Sequence, residues 1–203
     1  MKIICVGRNY AAHAKELNNA VEEEPVIFLK PDSALLNNNK DFYLPDFSND
    51  IHYETEIVVR INKAVKHIEE QFSHRYYDSV SVGVDFTARD LQTILKSKGL
   101  PWERAKAFDG SAVIGSFVPL ADVGIISDLN FSMKLNGQTV QSANSSEMVF
   151  SVDKVISFVS RFITLKTGDL IFTGTPQGVG PVKAGDQLMG FIGDRELFNF
   201  KVK

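Results

Sequence analysis

Two glutamates in one short segment could help to bind a hard cation. Glu54 and Glu56 lie in IHYETEIVVR, residues 51–60, which is predicted to be a β-strand. Because successive side chains of a strand point to opposite faces, the two carboxylates share one face with His52. Like charges at this spacing repel each other unless a cation lies between them. A solvated edge of a sheet is the alternative that the motif leaves open.

Asp85 could supply a third carboxylate to the same cation. It lies where the valine-rich strand SVSVGVDF, residues 79–86, gives way to a helical segment. Functional side chains are frequent at such junctions, although an aspartate there can also be only a turn or cap residue. Three carboxylates with further positions left to water suit Mg²⁺ or Mn²⁺, whereas Zn²⁺ favours histidine and cysteine.

A histidine and a glutamate on the first predicted helix could form a general base. His13 and Glu16 lie three positions apart in NYAAHAKELNN, residues 9–19, and therefore share a face of that helix. A carboxylate beside an imidazole fixes its tautomer and raises its basicity, so the pair could deprotonate water. A solvent-exposed pair without a catalytic role is the alternative.

Two other segments could face a ligand. Lys106 follows a Pro-Trp turn and precedes an apolar strand, a place where a lysine can also be simply exposed. The segment TGTPQGVGPV, residues 173–182, offers backbone N–H groups and hydroxyls that could hold a carboxylate, or its glycines and prolines could only shape a hairpin. It is not a P-loop, because the Gly-Lys-Ser/Thr ending is missing.

The composition excludes several classes of protein. The 203 residues carry a net charge of −3, which does not favour a nucleic-acid partner. The single cysteine, Cys5, excludes an internal disulfide and a cysteine-based zinc site, and we expect it to be buried. We see neither a signal peptide nor a membrane-spanning stretch, and we expect a cytoplasmic protein without a membrane partner. The hydrophobic content of 44% is sufficient for the core of a single domain, residues 1–203.

The elements that must position these residues are mostly strands. Besides the two strands above, apolar runs predict strands at KIICVG, PVIFLKP and several later segments, and helices at TARDLQTILKSKG and SVDKVISFVSRFI. Thr87 and Asp90 have the spacing of a capping box, Gly99 marks the end of that helix, and Asn136–Gly137 predicts a hairpin. Strands that outnumber helices, without regular alternation, predict an α+β, β-rich fold.

Seven segments, in order along nearly the whole chain, resemble the fumarylacetoacetate hydrolase family in its short form, which is related to acylpyruvate hydrolases and oxaloacetate decarboxylases. They are GRNYAAHAKEL, FLKPDSAL, HYETEIVV, GVDFTARDLQ, KAFDGSAVIGSF, NSSEMVFSV and GDLIFTGTPQGVG. One such motif is weakly specific, whereas seven in register are highly specific. The resemblance implies the mixed β-roll of the family's C-terminal domain, usually a homodimer. We expect no counterpart of the extra N-terminal domain that longer members carry.

The resemblance also implies a role for each candidate residue. It implies that one divalent cation per subunit, Mg²⁺ or Mn²⁺, is bound by Glu54, Glu56 and Asp85. His52 is expected beside these ligands rather than among them.

The remaining candidates correspond to catalytic and substrate-facing positions. His13 and Glu16 match the water-activating dyad, on a segment that can order over the substrate, and Lys106 matches a lysine beside the bound 2-oxo acid. The positions implied to contact substrate are Arg89, Gln92 and Thr175. Val140 departs from the family pattern, because an arginine often precedes the glutamine at this place.

The activity that the resemblance implies is cleavage of a C–C bond in an acylpyruvate, which yields pyruvate and a carboxylic acid. The cation would polarise the ketone, and the dyad would deprotonate the attacking water. The same enolate forms when oxaloacetate loses CO₂ or when a proton moves, so decarboxylase and tautomerase activities are alternatives. A non-catalytic dicarboxylate binder is a third alternative, which an intact dyad disfavours because a binder needs no general base.

Overall fold

The computed structural model describes residues 1–12, 22–37 and 39–203, and the helices and strands given below are those of the described ranges. The strands are β1 (Ile3–Gly7), β2 (Val26–Lys30), β3 (Leu35–Leu36), β4 (Ile51–Tyr53), β5 (Thr55–Ile61), β6 (Tyr77–Asp85), β7 (Thr87–Ala88), β8 (Ala112–Ile114), β9 (Val118–Pro119), β10 (Asn130–Leu135), β11 (Gln138–Asn144), β12 (Leu170–Phe172), β13 (Gly180–Pro181), β14 (Gln187–Ile192) and β15 (Arg195–Lys201). The α-helices are α1 (Arg89–Ser97), α2 (Glu103–Lys106), α3 (Leu120–Val123) and α4 (Val152–Phe162). Short 3₁₀ helices cover Asp32–Ala34, Glu70–Tyr76, Ile126–Asp128 and Ser145–Glu147.

The strands of the described chain form three sheets. The eight-stranded sheet has the order β2-β1-β12-β5-β6-β8-β3, with β9 also paired to β6. A four-stranded sheet has the order β11-β10-β14-β15, and a three-stranded sheet has the order β13-β4-β7. The pairs β1–β12 and β3–β8 are parallel, whereas β5 and β6 are antiparallel. The fold is therefore α+β and β-rich, as predicted.

The central strands β5 and β6 carry apolar side chains on both faces because both faces of the large sheet are covered. Ile57 and Val59 pack in the larger core cluster, while Val58 between them packs in the smaller cluster on the other face. Glu56 shares the face of Val58 by the two-residue period of a strand. The carboxylate of Glu56 is thus carried on the side of the smaller cluster, where Cys5 is also buried, as expected.

Local turn signals are confirmed in one place and wrong in another. Asn136 and Gly137 have φ of 52° and 82°, the left-handed pair of the predicted β10–β11 hairpin. The predicted capping box of α1 is wrong, because Thr87 pairs with His52 as part of β7 and the helix begins after Ala88. Asp90 instead accepts a hydrogen bond from Ser48. A pairing partner 35 residues away along the chain thus overrides a local cap motif.

One finding bears on the membrane. Among the described residues, no helix has both the length and the apolar content needed to cross a bilayer.

Candidate metal centre and substrate cavity

Three buried carboxylates converge where β5 begins and β6 ends. Glu54, Glu56 and Asp85 each offer an oxygen, and these atoms lie within 4.8 Å of one another. The register explains the convergence, because Glu56 lies opposite Gly83 and the Asp85 amide donates to the Glu54 carbonyl at 2.8 Å. The structure therefore brings together the three residues that the sequence analysis named as ligands.

Glu54 lies between β4 and β5, at the residue where the chain passes from the three-stranded sheet to the eight-stranded sheet. This break was not predicted, since the sequence suggested one continuous strand. His52, on β4, has its Nε2 at 2.9 Å from Asp50 Oδ1 and is not a member of the carboxylate group.

The environment of Glu56 disfavours a negative charge. Burial raises the pKa of its carboxyl well above the ordinary value, and the neighbouring Asp85 and Glu54 raise it further. One hydrogen bond opposes this shift, from the Gly174 amide to Glu56 Oε2 at 2.6 Å. Three buried oxygen donors that repel one another are the donor set that a hard divalent cation stabilises. The residues present thus fit Mg²⁺ or Mn²⁺.

Gly174 can approach Glu56 only because it has no side chain. Its φ is +99°, and a Cβ there would lie 2.7 Å from the Cβ of Asn9. Asn9 is itself fixed, since its side chain donates to the carbonyls of Thr173 and Phe150 and accepts from the Phe150 amide. The backbone amide that contacts Glu56 is therefore held by a rigid turn.

Lys106 bridges two of the carboxylates. Its Nζ lies 2.7 Å from Glu54 Oε2 and 2.8 Å from Asp85 Oδ2. Burial disfavours the ammonium, but Asp85 and Glu54 outweigh burial and raise the pKa of Lys106 above its ordinary value. The alternative of an exposed lysine is thereby excluded.

A second lysine, Lys30, supports Asp85 from the opposite side and was not singled out from the sequence. Its side chain is fully buried, with Nζ 2.6 Å from Asp85 Oδ1, 2.9 Å from the Ser111 carbonyl and 3.0 Å from Ser111 Oγ. The signal available in the sequence was a lysine that ends the apolar strand VIFLK. Such a lysine needs an acceptor when it is buried.

The predicted substrate-facing residues line the same cavity, which has a volume of about 40 Å³. Arg89 donates to Glu54 Oε1 and to Gln92 Oε1, both at 2.6 Å. Thr175 accepts from the Gln141 side chain at 2.9 Å. Gln141 also accepts from the Thr55 amide, so it ties the threonine turn to β5. These contacts show how the neighbourhood of Val140 contributes: the following glutamine positions Thr175.

His13 and Glu16 lie outside the described residues. Their role as a general base therefore stays a prediction from the sequence.

The fold and the site define a known class. The family described as fumarylacetoacetate (FAA) hydrolase C-terminal matches residues 2–201, and the chain belongs to this family. Among its relatives, oxaloacetate tautomerase FAHD1, mitochondrial, of Arabidopsis thaliana is 43% identical over 202 residues, which are 100% of this chain and 91% of the relative. Oxaloacetate decarboxylase, mitochondrial, of Dictyostelium discoideum is 41% identical over 185 residues, 91% of this chain and 85% of the relative.

A solved structure is similar throughout. The crystal structure of fumarylpyruvate hydrolase from Pseudomonas aeruginosa, in complex with Mn²⁺ and pyruvate, superposes with a TM-score of 0.93 at 38% identity, over 100% of this chain and 89% of that one. The relatives of this chain are thus enzymes of 2-oxo acids that differ in the reaction named.

Proposed function

We propose that this protein is a divalent-cation-dependent tautomerase of oxaloacetate, which interconverts the enol and keto forms, with decarboxylation of oxaloacetate as an activity of the same site. The observation that carries the proposal is the buried group of Glu54, Glu56 and Asp85 beside Lys106 in one small cavity. The names of the relatives favour oxaloacetate over the acylpyruvate that the resemblance implied.

The residues of the site suit an enolate. When bound, Mg²⁺ or Mn²⁺ supplies a Lewis acid that polarises the keto group of a 2-oxo acid. Lys106 offers an ammonium that stabilises negative charge on the substrate oxygen, and Gln92 and Thr175 offer neutral hydrogen-bonding groups. Tautomerisation needs only that a proton leaves C3 and another reaches the oxygen. His13, with Glu16, is the proposed carrier of the proton that leaves C3.

Hydrolysis of an acylpyruvate is a second candidate, which the similarity to fumarylpyruvate hydrolase supports. The two reactions differ in the need for water, because hydrolysis needs an activated water that attacks the distal carbonyl. Tautomerisation and decarboxylation need none.

A substrate panel tests the proposal. The purified protein is assayed with Mg²⁺ or Mn²⁺ for loss of enol-oxaloacetate by ultraviolet absorbance, for pyruvate release from oxaloacetate, and for cleavage of acetylpyruvate and fumarylpyruvate. We expect enol-oxaloacetate to be the fastest substrate, with activity lost in EDTA. Faster cleavage of an acylpyruvate would favour the second candidate, and no turnover of any 2-oxo acid would refute both.

A histidine variant separates the reactions. We expect His13→Ala to lose acylpyruvate hydrolysis about 10²-fold or more, in the range of a general base, and to lose decarboxylation much less. His74→Ala, at an exposed histidine, is the control. Equal losses of hydrolysis and decarboxylation would remove the mechanistic distinction drawn here between these two reactions.

Three expectations from the sequence remain proposals. They are a single catalytic domain over residues 1–203, a homodimer, and a cytoplasmic location. The Arabidopsis thaliana and Dictyostelium discoideum relatives carry the word mitochondrial in their names, which applies to those proteins.

A further inference from the structure

Two of the cationic side chains that line the cavity form no ion pair with the three carboxylates. Arg89 and Lys106 pair with Glu54, whereas Arg8 and Lys96 line the same cavity without an ion pair to any of the three carboxylates. The cavity therefore holds more positive charge than the proposed metal ligands account for. A bound divalent cation would increase this excess.

Lys96 is the less neutralised of the two. It follows Gln92 by four residues on α1, so both side chains lie on one face of the helix. Its Nζ lies 5.2 Å from the centroid of the Trp102 ring, and no carboxylate in the described part of the chain forms an ion pair with it. Burial lowers the pKa of Lys96, and the charges of Arg8 and Arg89 lower it further. Like charges close together favour the binding of an anion between them.

Arg8 is held in an unusual conformation at the end of β1. Its φ of 61° lies in the left-handed region, which an arginine seldom adopts unless the surrounding structure imposes it. Its guanidinium pairs with Glu22, while its Nε is buried without a hydrogen-bond partner among the described residues. An arginine strained into a cavity with a spare donor is suited to bind an anionic group.

We propose that Arg8 and Lys96 bind the second carboxylate of a dicarboxylic 2-oxo acid and so select oxaloacetate-type substrates over monocarboxylic ones. This inference rests on the proposed function, because it assumes that the 2-oxo end of the substrate lies at Glu54, Glu56 and Asp85. Trp102 forms the apolar wall beside Lys96, where the short carbon chain of the substrate lies.

The contact also affects which reaction occurs. Decarboxylation breaks the C3–C4 bond, leaves the electron pair on the enolate and releases C4 as neutral CO₂. Two cations that bind the C4 carboxylate stabilise its charge and thereby oppose its departure. Proton transfer at C3 leaves that charge in place, so the patch of Arg8 and Lys96 favours tautomerisation.

The test compares two substrates, one with a charged distal carboxylate and one in which a neutral methyl ester replaces it. Tautomerisation of oxaloacetate and of its 4-methyl ester is measured for the wild type, Lys96→Met and Arg8→Gln. Methionine keeps the apolar stem of the lysine and removes the charge. Lys98→Met is the matched control, because Lys98 is exposed like Lys96 but lies outside the cavity lining.

We expect each cavity variant to lose about 10- to 100-fold in kcat/KM for oxaloacetate, and to stay within about twofold for the ester. In Lys96→Met, the ratio of CO₂ release to tautomerisation should rise. Equal losses for both substrates, or no loss in Lys96→Met, would overturn the inference. If Arg8→Gln fails to fold, Lys96→Met decides alone.

Failure of the proposed function would give a different experimental result. If the wild type turns over no 2-oxo acid, oxaloacetate serves as an unreactive ligand, and calorimetry with Mn²⁺ compares it with the ester. Tighter binding of the dicarboxylate that Lys96→Met removes would support the patch. Equal binding of both compounds would overturn it.

Discussion

Replacing Lys30 with methionine tests the charge balance of the site without any assay of activity. The ammonium of Lys30 has no access to solvent and contacts Asp85 Oδ1, the Ser111 carbonyl and Ser111 Oγ. Loss of one partner of a buried ion pair costs about 3–5 kcal/mol, because the other charge stays buried. Asp85 keeps Lys106 on its second oxygen, so we expect a loss of about 3 kcal/mol, near the lower end of that range.

The measurement is urea unfolding in EDTA, combined into a double-mutant cycle with Asp85→Asn. If the pair is coupled as the geometry indicates, the double variant loses less than the sum of the two single variants, with a coupling of about 1–3 kcal/mol. Lys2→Met is the control, because Lys2 pairs with Asp169 but is 30% exposed, and about 1 kcal/mol or less is expected from that pair.

Two results would refute this reasoning. One is a loss for Lys30→Met no larger than that for Lys2→Met. The other is a cycle in which Lys30→Met and Asp85→Asn are simply additive, which would show that the 2.6 Å contact carries no coupling energy.

Three further predictions follow from backbone conformation and from pKa shifts. Gly174→Ala should cost about 2–5 kcal/mol of unfolding free energy, because it adds a clash with Asn9 to the strain of a left-handed backbone. The control Gly185→Ala, where φ is +94° and a Cβ meets open space, should cost only about 1–2 kcal/mol. Equal losses of the two variants in urea unfolding would contradict the clash. Without a divalent cation, the pKa of Glu56 is raised, so the contribution of this group to stability is present below the ordinary value of 4.5 and is lost as the pH rises. Glu56→Gln should therefore stabilise the EDTA-treated protein at neutral pH. The same substitution should abolish the stabilisation by Mn²⁺ that thermal unfolding measures. A wild type that is more stable than Glu56→Gln in EDTA at neutral pH would contradict this prediction. Burial opposes the charge on Asp169, but hydrogen bonds from Lys2 outweigh burial and hold the pKa of this carboxyl below 3.8. The stability that the charged carboxylate contributes is therefore present above pH 3.8 and is lost at lower pH. The loss of unfolding free energy in Asp169→Asn should shrink on acidification, and a loss independent of pH would exclude this linkage.

The strands were predictable because their signals are local. Val80, Val82 and Val84 alternate with small residues, and β-branched side chains at this period favour a buried strand in many environments. The hairpin at Asn136–Gly137 was equally local, since few residues adopt left-handed backbone at low cost. The capping box at Thr87 failed for the opposite reason, because β4 took that residue into a sheet.

The residues of the candidate site divide in the same way, into those that local sequence predicts and those that depend on contacts between separate elements. Glu54 and Glu56 could be proposed from their two-residue spacing in one predicted strand, and Asp85 from its place at a strand end. The buried lysine behind Asp85, the role of Gln141 in holding Thr175, and the pairing of Arg8 with Glu22 could not be read from the sequence, because each joins residues on separate elements.

The sequence by itself thus determined the β-rich fold, the family and the three candidate ligands, since these depend on short periods and motifs. Only the tertiary structure decided how their charge is balanced. Lys30 and Lys106 reach Asp85 from β2 and α2, and Gly174 brings an amide to Glu56 from a turn more than a hundred residues away. Electrostatic interactions act through distance in space, and the folded chain alone sets those distances.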